Sequence, residues 1–402
     1  MRTPPPSPAA RLRAIKRHVW LTPQRFLATC APGLEDLLLT EVARLPGVAL
    51  GERRTGAVAF SAPFDTVYAA LLRLALAESL RWVVWPDAAA TTSAMLFDQL
   101  GRARWPLWLP DESALTVRVR TSKSRLRDDA QLERTLRQAL RAQGIETEAD
   151  APPMTAHLHL HHDRATVSLD AGGPLHRRRG DKWVSPTTIR ETTAAALVRA
   201  SGVLDPLDPP DLVCDPFCGS GTLAIETLEA WADAAPGRWL AAPLAASPSW
   251  KPERWAHARR TLGGEGHVPP EPPFLASDAD RDAVTAARHN LERAGYGARA
   301  RVAVARAQDL DLPALARTNG AQRPLLLANP PYGKEAAALG APPRDLLRRL
   351  LSGARGWRFA LLYPRPEDLD DLPGIELREV RTIVTGGLRN AILVGSVAGT
   401  RA

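Results

Sequence analysis

Apolar and polar positions divide the chain into an N-terminal half of small α/β units and a C-terminal half of regular βα repeats. In the first half, residues 25–60 combine short strand patterns with apolar residues at helical spacing. Residues 115–120 alternate apolar and polar side chains, as a half-buried strand does, and a helix is expected over 128–143. Residues 157–169 then predict a hairpin.

After residue 185 apolar strands alternate with helical segments, which predicts βαβ units and a mainly parallel sheet. Strands are expected at residues 212–214, 273–276, 300–304, 325–328 and 359–362. Residues 380–397 predict a hairpin around Gly386 and Gly387, so the last strand should run antiparallel at or near the sheet edge. Residues 234–255 are rich in Pro, Ala and Trp, and we interpret them as an insertion rather than a core element.

Length and charge set the next limits. The 402 residues are enough for two or three domains. A net charge of +8 and a pI near 9.9 make a polyanion the first expected partner. Only five of the 52 basic residues are lysines, and such an arginine bias is also what genome composition produces.

The first 22 residues carry five cations, no acid and a run of three prolines, and they lack the apolar segment of a secretory signal. A disordered basic tail is expected there, with an organelle transit peptide as the alternative. No run of about 18 apolar residues occurs, so no transmembrane helix is expected. Cys30, Cys214 and Cys218 cannot form a disulfide framework, which favours a reducing cytoplasm.

A glycine-rich loop follows the first strand of the C-terminal half and opens a helix. It consists of Asp215, Pro216, Phe217, Cys218, Gly219, Ser220 and Gly221. The glycines allow a tight turn and a close approach of backbone to ligand. The loop lacks the Gly-Lys-Ser/Thr of a Walker A motif and the G-x-G-x-x-G of a dinucleotide site. An acid before the glycines would repel pyrophosphate and attract an amino group, so S-adenosylmethionine is a suitable ligand.

Carboxylates follow the next two strands at βα spacing. Asp278 can accept hydrogen bonds from both ribose hydroxyls, and Ala279 can pack on adenine. Asp309, after the third strand, could accept from the adenine amino group. Each acid alone could be a solvated loop residue, but their order on successive strands favours a cofactor site.

A tetrad ends the fourth strand: Asn329, Pro330, Pro331 and Tyr332. The prolines cannot donate backbone hydrogen bonds, so they stop the strand at the edge where ligands bind in open α/β sheets. The Asn329 side-chain oxygen and the Pro330 carbonyl can accept both hydrogens of a planar NH2 group, and the Tyr332 ring can stack on its plane. The alternative is a proline-rich turn with a stacked aromatic ring.

Three histidines alternate with leucines on one predicted strand: His157, His159 and His161. A metal site needs ligands from more than one element, whereas alternation with leucine is typical of a solvated strand face. No metal is therefore expected.

These motifs resemble those of class I S-adenosylmethionine-dependent methyltransferases, and more narrowly the THUMP-containing RNA guanine-N2 methyltransferases that include the bacterial 23S rRNA enzymes. Residues 26–41 resemble the family's ferredoxin-like segment, and residues of about 65–172 its THUMP RNA-binding module. Residues 185–196 resemble the helix beside the cofactor, and the insertion resembles a segment of the large-subunit rRNA branch. Phe217 departs from the methionine common at its position.

The resemblance implies an α/β fold with a C-terminal Rossmann-like class I methyltransferase domain. Its seven-stranded, mostly parallel sheet would end in the antiparallel hairpin, and a ferredoxin-like plus THUMP module would precede it. The expected divisions are a tail over 1–22, a ferredoxin-like segment over 23–64, a THUMP domain over 65–172, a basic linker over 173–185 and the methyltransferase domain over 186–402.

The resemblance also implies an enzyme that moves a methyl group from S-adenosylmethionine to guanosine N2 in structured RNA, with 23S rRNA favoured. Thr188 and Glu191 would lie beside the cofactor. The linker cations would hold the RNA backbone without reading its sequence; they are Arg177, Arg178, Arg179 and Lys182. No membrane or metal partner is expected, and the expected location is the cytoplasm.

Several alternatives share the tetrad. A tRNA guanosine-N2, DNA adenine-N6 or protein glutamine methyltransferase would also hold a planar NH2 group there. The N-terminal half favours RNA, because typical DNA and protein methyltransferases of this kind lack that module. A non-catalytic RNA-binding assembly factor is the alternative of another class, and failure to bind S-adenosylmethionine would favour it.

Overall fold

The computed structural model describes residues 7–110, 115–143, 145, 147, 154–184, 188–264, 274–332 and 342–399. They belong to two compact units. The first unit takes residues from 1–30, 38–175 and 237–263, and the second takes residues from 31–37, 176–236 and 264–402. None of the helices in these ranges is long and apolar enough to cross a membrane.

The N-terminal segment is helical, so the prediction of a disordered tail is wrong from residue 7 onward. Helix α1 (Pro8–Ile15) starts at Ser7, whose Oγ accepts from the Ala10 N–H at 3.3 Å, and a π-helical turn (Lys16–Trp20) continues it. Ile15 and Val19 are buried, and the Trp20 ring packs edge-on against Phe64 with centroids 5.2 Å apart. These apolar residues, four or five apart, anchor a segment whose arginines suggested disorder.

A seven-stranded sheet forms the body of the first unit. Its strands are β1 (Gln24–Thr29), β2 (Ala49–Arg54), β3 (Ala57–Ala62), β4 (Ser79–Ala89), β5 (Leu115–Ser122), β6 (Met154–His161) and β7 (Arg164–Asp170), in the order β2-β3-β1-β4-β7-β6-β5. β5 and β6 are parallel, and the predicted β6–β7 hairpin is confirmed. β1 pairs directly with β4, so one sheet continues across the division expected at residue 64.

Helices of the N-terminal half are α2 (Glu35–Ala43), α3 (Thr66–Arg73), α4 (Ser93–Gly101) and α5 (Asp129–Arg141). The predicted apolar face of α5 is confirmed, because Leu132, Leu136 and Leu140 are buried. Asp128 caps this helix by accepting from the Ala130 N–H at 2.9 Å.

The segment interpreted as an insertion, residues 234–255, contributes core residues to the first unit, so that interpretation is wrong from residue 237 onward; residues 237–263 all belong to this unit. Trp250 is buried against the Tyr68 ring at 4.6 Å, and the Tyr68 hydroxyl accepts from the Lys251 N–H at 2.9 Å. The buried Ser249 donates to the Leu107 carbonyl at 2.7 Å. Helix α8 (Pro252–Leu262) closes the segment. Trp250 therefore packs within the first unit, against helix α3.

The second unit has the predicted mainly parallel sheet. Its strands are β8 (Leu212–Asp215), β9 (Phe274–Asp278), β10 (Ala300–Val304), β11 (Pro324–Ala328), β12 (Arg358–Tyr363), β13 (Ile375–Thr385) and β14 (Leu388–Val397), in the order β10-β9-β8-β11-β12-β14-β13. β8 to β12 pair in parallel, and the terminal hairpin is antiparallel with β13 outermost. The predicted fold class is confirmed in this unit.

The helices of this unit are α6 (Glu191–Ala200), α7 (Thr222–Trp231), α9 (Arg281–Arg293), α10 (Leu312–Thr318) and α11 (Pro343–Ser352). One face of the sheet packs into a core that includes Leu326, Phe359 and Leu393. The outer strand β13 meets a piece of the N-terminal segment: the Val384 N–H donates to the Pro32 carbonyl at 3.0 Å. A Cβ on Gly33 would lie 2.0 Å from the Thr382 oxygen, so only glycine permits this approach.

Candidate active site

A cavity of about 310 Å³ lies at the carboxyl ends of the central strands of the second unit, where an open α/β sheet binds its ligands. Its described wall comes from the glycine loop, the ends of β9, β10 and β11, and helix α11. The lining residues are Thr188, Ile189, Asp215, Pro216, Phe217, Cys218, Gly219, Ser220, Thr222, Leu223, Asp278, Ala279, Asp280, Arg306, Ala307, Gln308, Asn329, Pro331 and Leu346.

The glycine loop turns because two of its glycines have left-handed backbones, with φ of 50° at Gly219 and 80° at Gly221. A Cβ on Gly221 would also lie 3.3 Å from Ala287, so this glycine lets α7 approach α9. The Gly221 N–H donates to the Cys218 carbonyl at 2.8 Å. The predicted loop thus forms the wall of the cavity directly before α7.

Asp215 is fully buried at the base of this loop. Its Oδ1 accepts from the Phe217 N–H at 3.0 Å, while Oδ2 has no hydrogen-bond partner among the described residues. Burial raises the pKa of the Asp215 carboxyl to about 8, and the charge of Asp278 adds to the rise. An incoming cation would both satisfy Oδ2 and restore the ionised form.

Asp278 connects the loop to β9. Its Oδ2 accepts from the Gly219 N–H at 2.9 Å, and Oδ1 accepts from the Asp280 N–H at 3.0 Å. Each carboxylate oxygen keeps a second acceptor position, so Asp278 can still receive the hydroxyl groups of a ligand. Ala279 lies beside it on the wall. The structure brings both residues to the cavity as the sequence predicted, and their contacts with a ribose and an adenine stay predictions.

Asn329 ends β11 on the same wall. Its side-chain oxygen Oδ1 is buried, and no residue in the described part of the chain donates a hydrogen bond to it. Pro331 also lines the cavity, whereas Pro330 is buried and Tyr332 half-buried, both outside the lining set. The cavity therefore holds two buried oxygens of different kinds, a carboxylate and an amide.

Three predicted cofactor residues are outside the set that lines the described cavity: Gly221, Asp309 and Glu191. Asp309 is exposed, and its neighbours Ala307 and Gln308 line the cavity instead. The cause is a 3₁₀ turn (Ala307–Asp309), in which successive side chains point about 120° apart. The Gln308 oxygen, assigned from its surroundings, accepts from Arg306 at 2.7 and 2.8 Å. Glu191 is turned away into an ion cluster, although Thr188 does line the cavity.

Sequence reasoning also missed Ile189, Arg306, Gln308 and Leu346. Arg306 and Gln308 follow the third strand, at the position where an adenine-binding acid is expected. Their place after a strand could therefore have indicated that they line the cavity. Leu346 lies on α11, and nothing in its local sequence indicates the cavity.

The linker cations predicted to bind RNA are mostly buried, and that role is wrong for three of them. The side chains of Arg178, Arg179 and Lys182 are 1%, 8% and 7% exposed. They meet three buried carboxylates from α6 and α7, which are Glu191, Glu226 and Glu229. We call these six residues the ion cluster. Charges that neutralise one another inside the protein cannot hold phosphates, and only the exposed Arg177 stays a candidate.

A different set of cations lies on the first sheet. The parallel register of β5 and β6 places Arg118 beside His157 and Arg120 beside His159. Both arginines are exposed, and Arg81 and His161 extend the group. We call these six residues the basic sheet face; Asp170 lies near its Arg118 end and Glu52 near His161. Burial lowers the pKa of His157 to about 3, so the charge comes from the arginines. The described residues contain no group of three or more side chains arranged to bind a metal.

Two segments of the chain match models of known protein families. Residues 178–355 match a family model described as an RMKL-like methyltransferase domain, and residues 25–79 match the RlmL ferredoxin-like domain. The chain carries an RMKL-like methyltransferase domain. The glycine loop, Asp278 and Asn329 all lie within the matched residues, as does the segment 237–263 that packs in the first unit.

Relatives that match nearly the whole chain are also named as methyltransferases. The ribosomal RNA large subunit methyltransferase K/L of Syntrophotalea carbinolica is 29% identical over 403 residues, covering 94% of this chain and 54% of the relative. The protein of the same name from Methylococcus capsulatus is 29% identical over 392 residues, covering 94% and 52%. The chain spans about half the length of the curated relatives it matches.

A solved structure supports the fold around the methyltransferase domain. A protein from Clostridium difficile 630, described as a possible methylase, has a TM-score of 0.79 at 19% identity. The match covers 95% of this chain and 100% of that chain. The fold of this chain thus recurs, over nearly all of its length, in that protein.

Proposed function

We propose that this chain transfers a methyl group from S-adenosylmethionine to the exocyclic N2 amine of a guanosine in structured RNA, with 23S rRNA favoured. The observation that carries the proposal is the pair of buried oxygens in one cavity, Asp215 Oδ2 and Asn329 Oδ1, which the described residues leave without partners. Asp215 Oδ2 suits the ammonium group of the methyl donor. Asn329 Oδ1 suits the amine of the acceptor, which must lie beside the donor.

The cavity residues fit the methyl donor. Asp215 would receive the ammonium, and Asp278 would accept the ribose hydroxyls next to Ala279. A volume of about 310 Å³ is within the range of small-molecule sites. Bound S-adenosylmethionine supplies a methyl group on a positively charged sulfur. The protein's part is to hold that group opposite the amine and to exclude competing water.

Asn329 would orient the acceptor. Guanine N2 is a poor nucleophile, because its lone pair is delocalised into the ring. Asn329 Oδ1 accepts one hydrogen and the Pro330 carbonyl the other, which draws the lone pair out of conjugation and towards the methyl group. The N2–C bond would form as the sulfur–methyl bond breaks and S-adenosylhomocysteine leaves. The cationic nitrogen would then lose its proton to Asn329, the backbone or water, so the step needs no strong base.

Residues other than those of the cavity would hold the RNA backbone. A base inside a helix cannot enter a pocket, so the target must be unpaired or extruded. The exposed Arg118 and Arg120 of the basic sheet face carry the charge that contacts with phosphate require, and Arg177 is a further candidate. The K/L relatives are named for ribosomal RNA, and this supports rRNA as the acceptor. An rRNA substrate supports a cytoplasmic location.

The Asn329→Ala variant tests the catalytic assignment. We expect methyl transfer to fall by about 10²–10³-fold, as when an oriented catalytic hydrogen bond is removed. The affinity for S-adenosylhomocysteine, measured by calorimetry, should stay near that of the unchanged protein. Retained turnover would refute the role of Asn329.

The acceptor is identified by mass spectrometry of rRNA and tRNA from a strain that lacks the gene. Loss of one N2-methylguanosine in 23S rRNA, restored by the purified protein, is the expected result. Loss of a tRNA modification would favour the tRNA alternative. A radiolabelled methyl group that survives nuclease but not protease would show a protein acceptor.

A further inference from the structure

The ion cluster is connected to the cavity wall, because Lys182 contacts the first of three neighbouring hydroxyl groups that lie there. Lys182 Nζ lies 3.5 Å from Glu191 Oε1 and donates to Thr222 Oγ1 at 3.0 Å. Thr222 Oγ1 lies 3.5 Å from Ser220 Oγ, and Ser220 Oγ lies 3.2 Å from Thr188 Oγ1. All three hydroxyl residues line the cavity.

A second anchor acts on the same loop. The buried Asn290 of α9 donates to the Ser220 carbonyl at 2.9 Å and to the Trp183 carbonyl at 2.8 Å, and its Oδ1 accepts from the Trp183 N–H at 2.9 Å. Trp183 in turn stacks on His289 at 3.9 Å. Residues 182 and 183 are thus held on both sides of the glycine loop, by Thr222 and by Asn290.

We propose that Lys182 is a positioning residue of the methyl-donor site: it fixes the Thr222 hydroxyl, and through it the Ser220 and Thr188 hydroxyls that line the cavity. This inference rests on the proposed methyl-donor function of that cavity. The remaining cluster charges hold Lys182 in place: Arg179 Nη1 lies 3.5 Å from the same Glu191 oxygen and 2.8 Å from Glu226 Oε1. A lysine that contacts RNA phosphates would instead be exposed to solvent, whereas the Lys182 side chain is buried.

The Lys182→Met variant of the full chain, with Arg177→Met as the control, tests this assignment. Arg177 lies five residues earlier, is exposed and has the same charge. We expect Lys182→Met to raise the Kd for S-adenosylhomocysteine by about tenfold, as the loss of one charge-assisted hydrogen bond does. Its KM for S-adenosylmethionine should rise with little change in kcat, and its RNA affinity should keep the same salt dependence. Arg177→Met should leave the cofactor Kd unchanged.

A double-mutant cycle separates positioning from general destabilisation. If Lys182 acts through the Thr222 hydroxyl, Thr222→Val should raise the cofactor Kd, and adding Lys182→Met should raise it little further. Thr222→Ser, which keeps the hydroxyl, should restore the affinity. Additive effects would overturn the proposal, as would weakened RNA binding with an unchanged cofactor Kd.

A second variant at the same position keeps the proposal testable. If Lys182→Met does not fold, Lys182→Arg keeps the charge but displaces the donor, and the same rise in cofactor Kd is expected. Normal cofactor affinity in Lys182→Arg together with normal affinity in Thr222→Val would overturn the proposal. Cofactor binding is measured directly, so these outcomes stay distinct from a failure of the proposed RNA methylation, which would appear as no transfer by the unchanged protein.

Discussion

The ion cluster and the basic sheet face both contain two arginines within three residues, yet they differ in almost every physical respect. Arg178 and Arg179 are buried among three carboxylates, whereas Arg118 and Arg120 are exposed on a sheet. The first pair is stabilised by protein charges and the second by water. Burial and counter-charges therefore decide what a basic segment does, and a count of arginines does not.

Arg179→Met should give the largest effect. It removes the cation that contacts both of the buried carboxylates Glu226 and Glu229, so we expect a loss of about 3–5 kcal/mol in the free energy of unfolding, measured with urea. Arg120→Met is the control, and its effect should stay within about 0.5 kcal/mol. Similar losses in both variants would remove the distinction between the two regions.

Asp215 is also a buried acid, but unlike the glutamates of the ion cluster it forms no ion pair with the described residues. Its pKa of about 8 means that it is mostly protonated near neutral pH, so binding the ammonium requires loss of a proton. Below this pKa we expect cofactor affinity to rise with pH, by roughly tenfold per unit between about pH 6 and pH 7.5. Titration calorimetry with S-adenosylhomocysteine measures the trend.

Asp215→Asn is the matched variant for this test. It should bind the cofactor more weakly and with a flat pH profile over the same window. Because a raised carboxyl pKa disfavours the folded state as pH rises from about 4 to 8, the ligand-free variant should also gain stability at the upper end. A pH-independent affinity in the unchanged protein would contradict the assignment of Asp215 to the ammonium.

Arg118→Gln with Arg120→Gln should give a smaller effect, confined to RNA. Loss of two phosphate contacts should weaken RNA binding by about tenfold and lower the salt slope by roughly 1.5. The cofactor Kd should not change. The comparison variant Arg178→Met should leave the salt slope of the folded protein intact, and a reduced slope there would restore the linker as an RNA contact.

The parallel core of the second unit was largely predictable from sequence, since β8, β11 and β12 are short apolar runs and the candidate site residues lie at or directly after strand ends. The location of Asp215 and Asn329 at the cavity could be predicted because their positions at strand ends are set by local sequence. The burial of Arg178 and Arg179 could not, because the glutamates that contact them lie 12–50 residues away on two helices. Nor could the packing of Trp250, because nothing in the sequence near it indicates that it contacts Tyr68 on helix α3.

The exchange of short segments between the two units limits how the protein can be divided. Residues 31–37 belong to the second unit, where the Pro32 carbonyl accepts from Val384 and the Gly33 carbonyl accepts from Arg381 Nη1 at 3.2 Å, both on the outermost strand. A fragment that begins at residue 176 would keep the methyltransferase motifs but lose this cover. Its bare strand edge would be a template for pairing with another copy, so aggregation is the expected fate of that fragment.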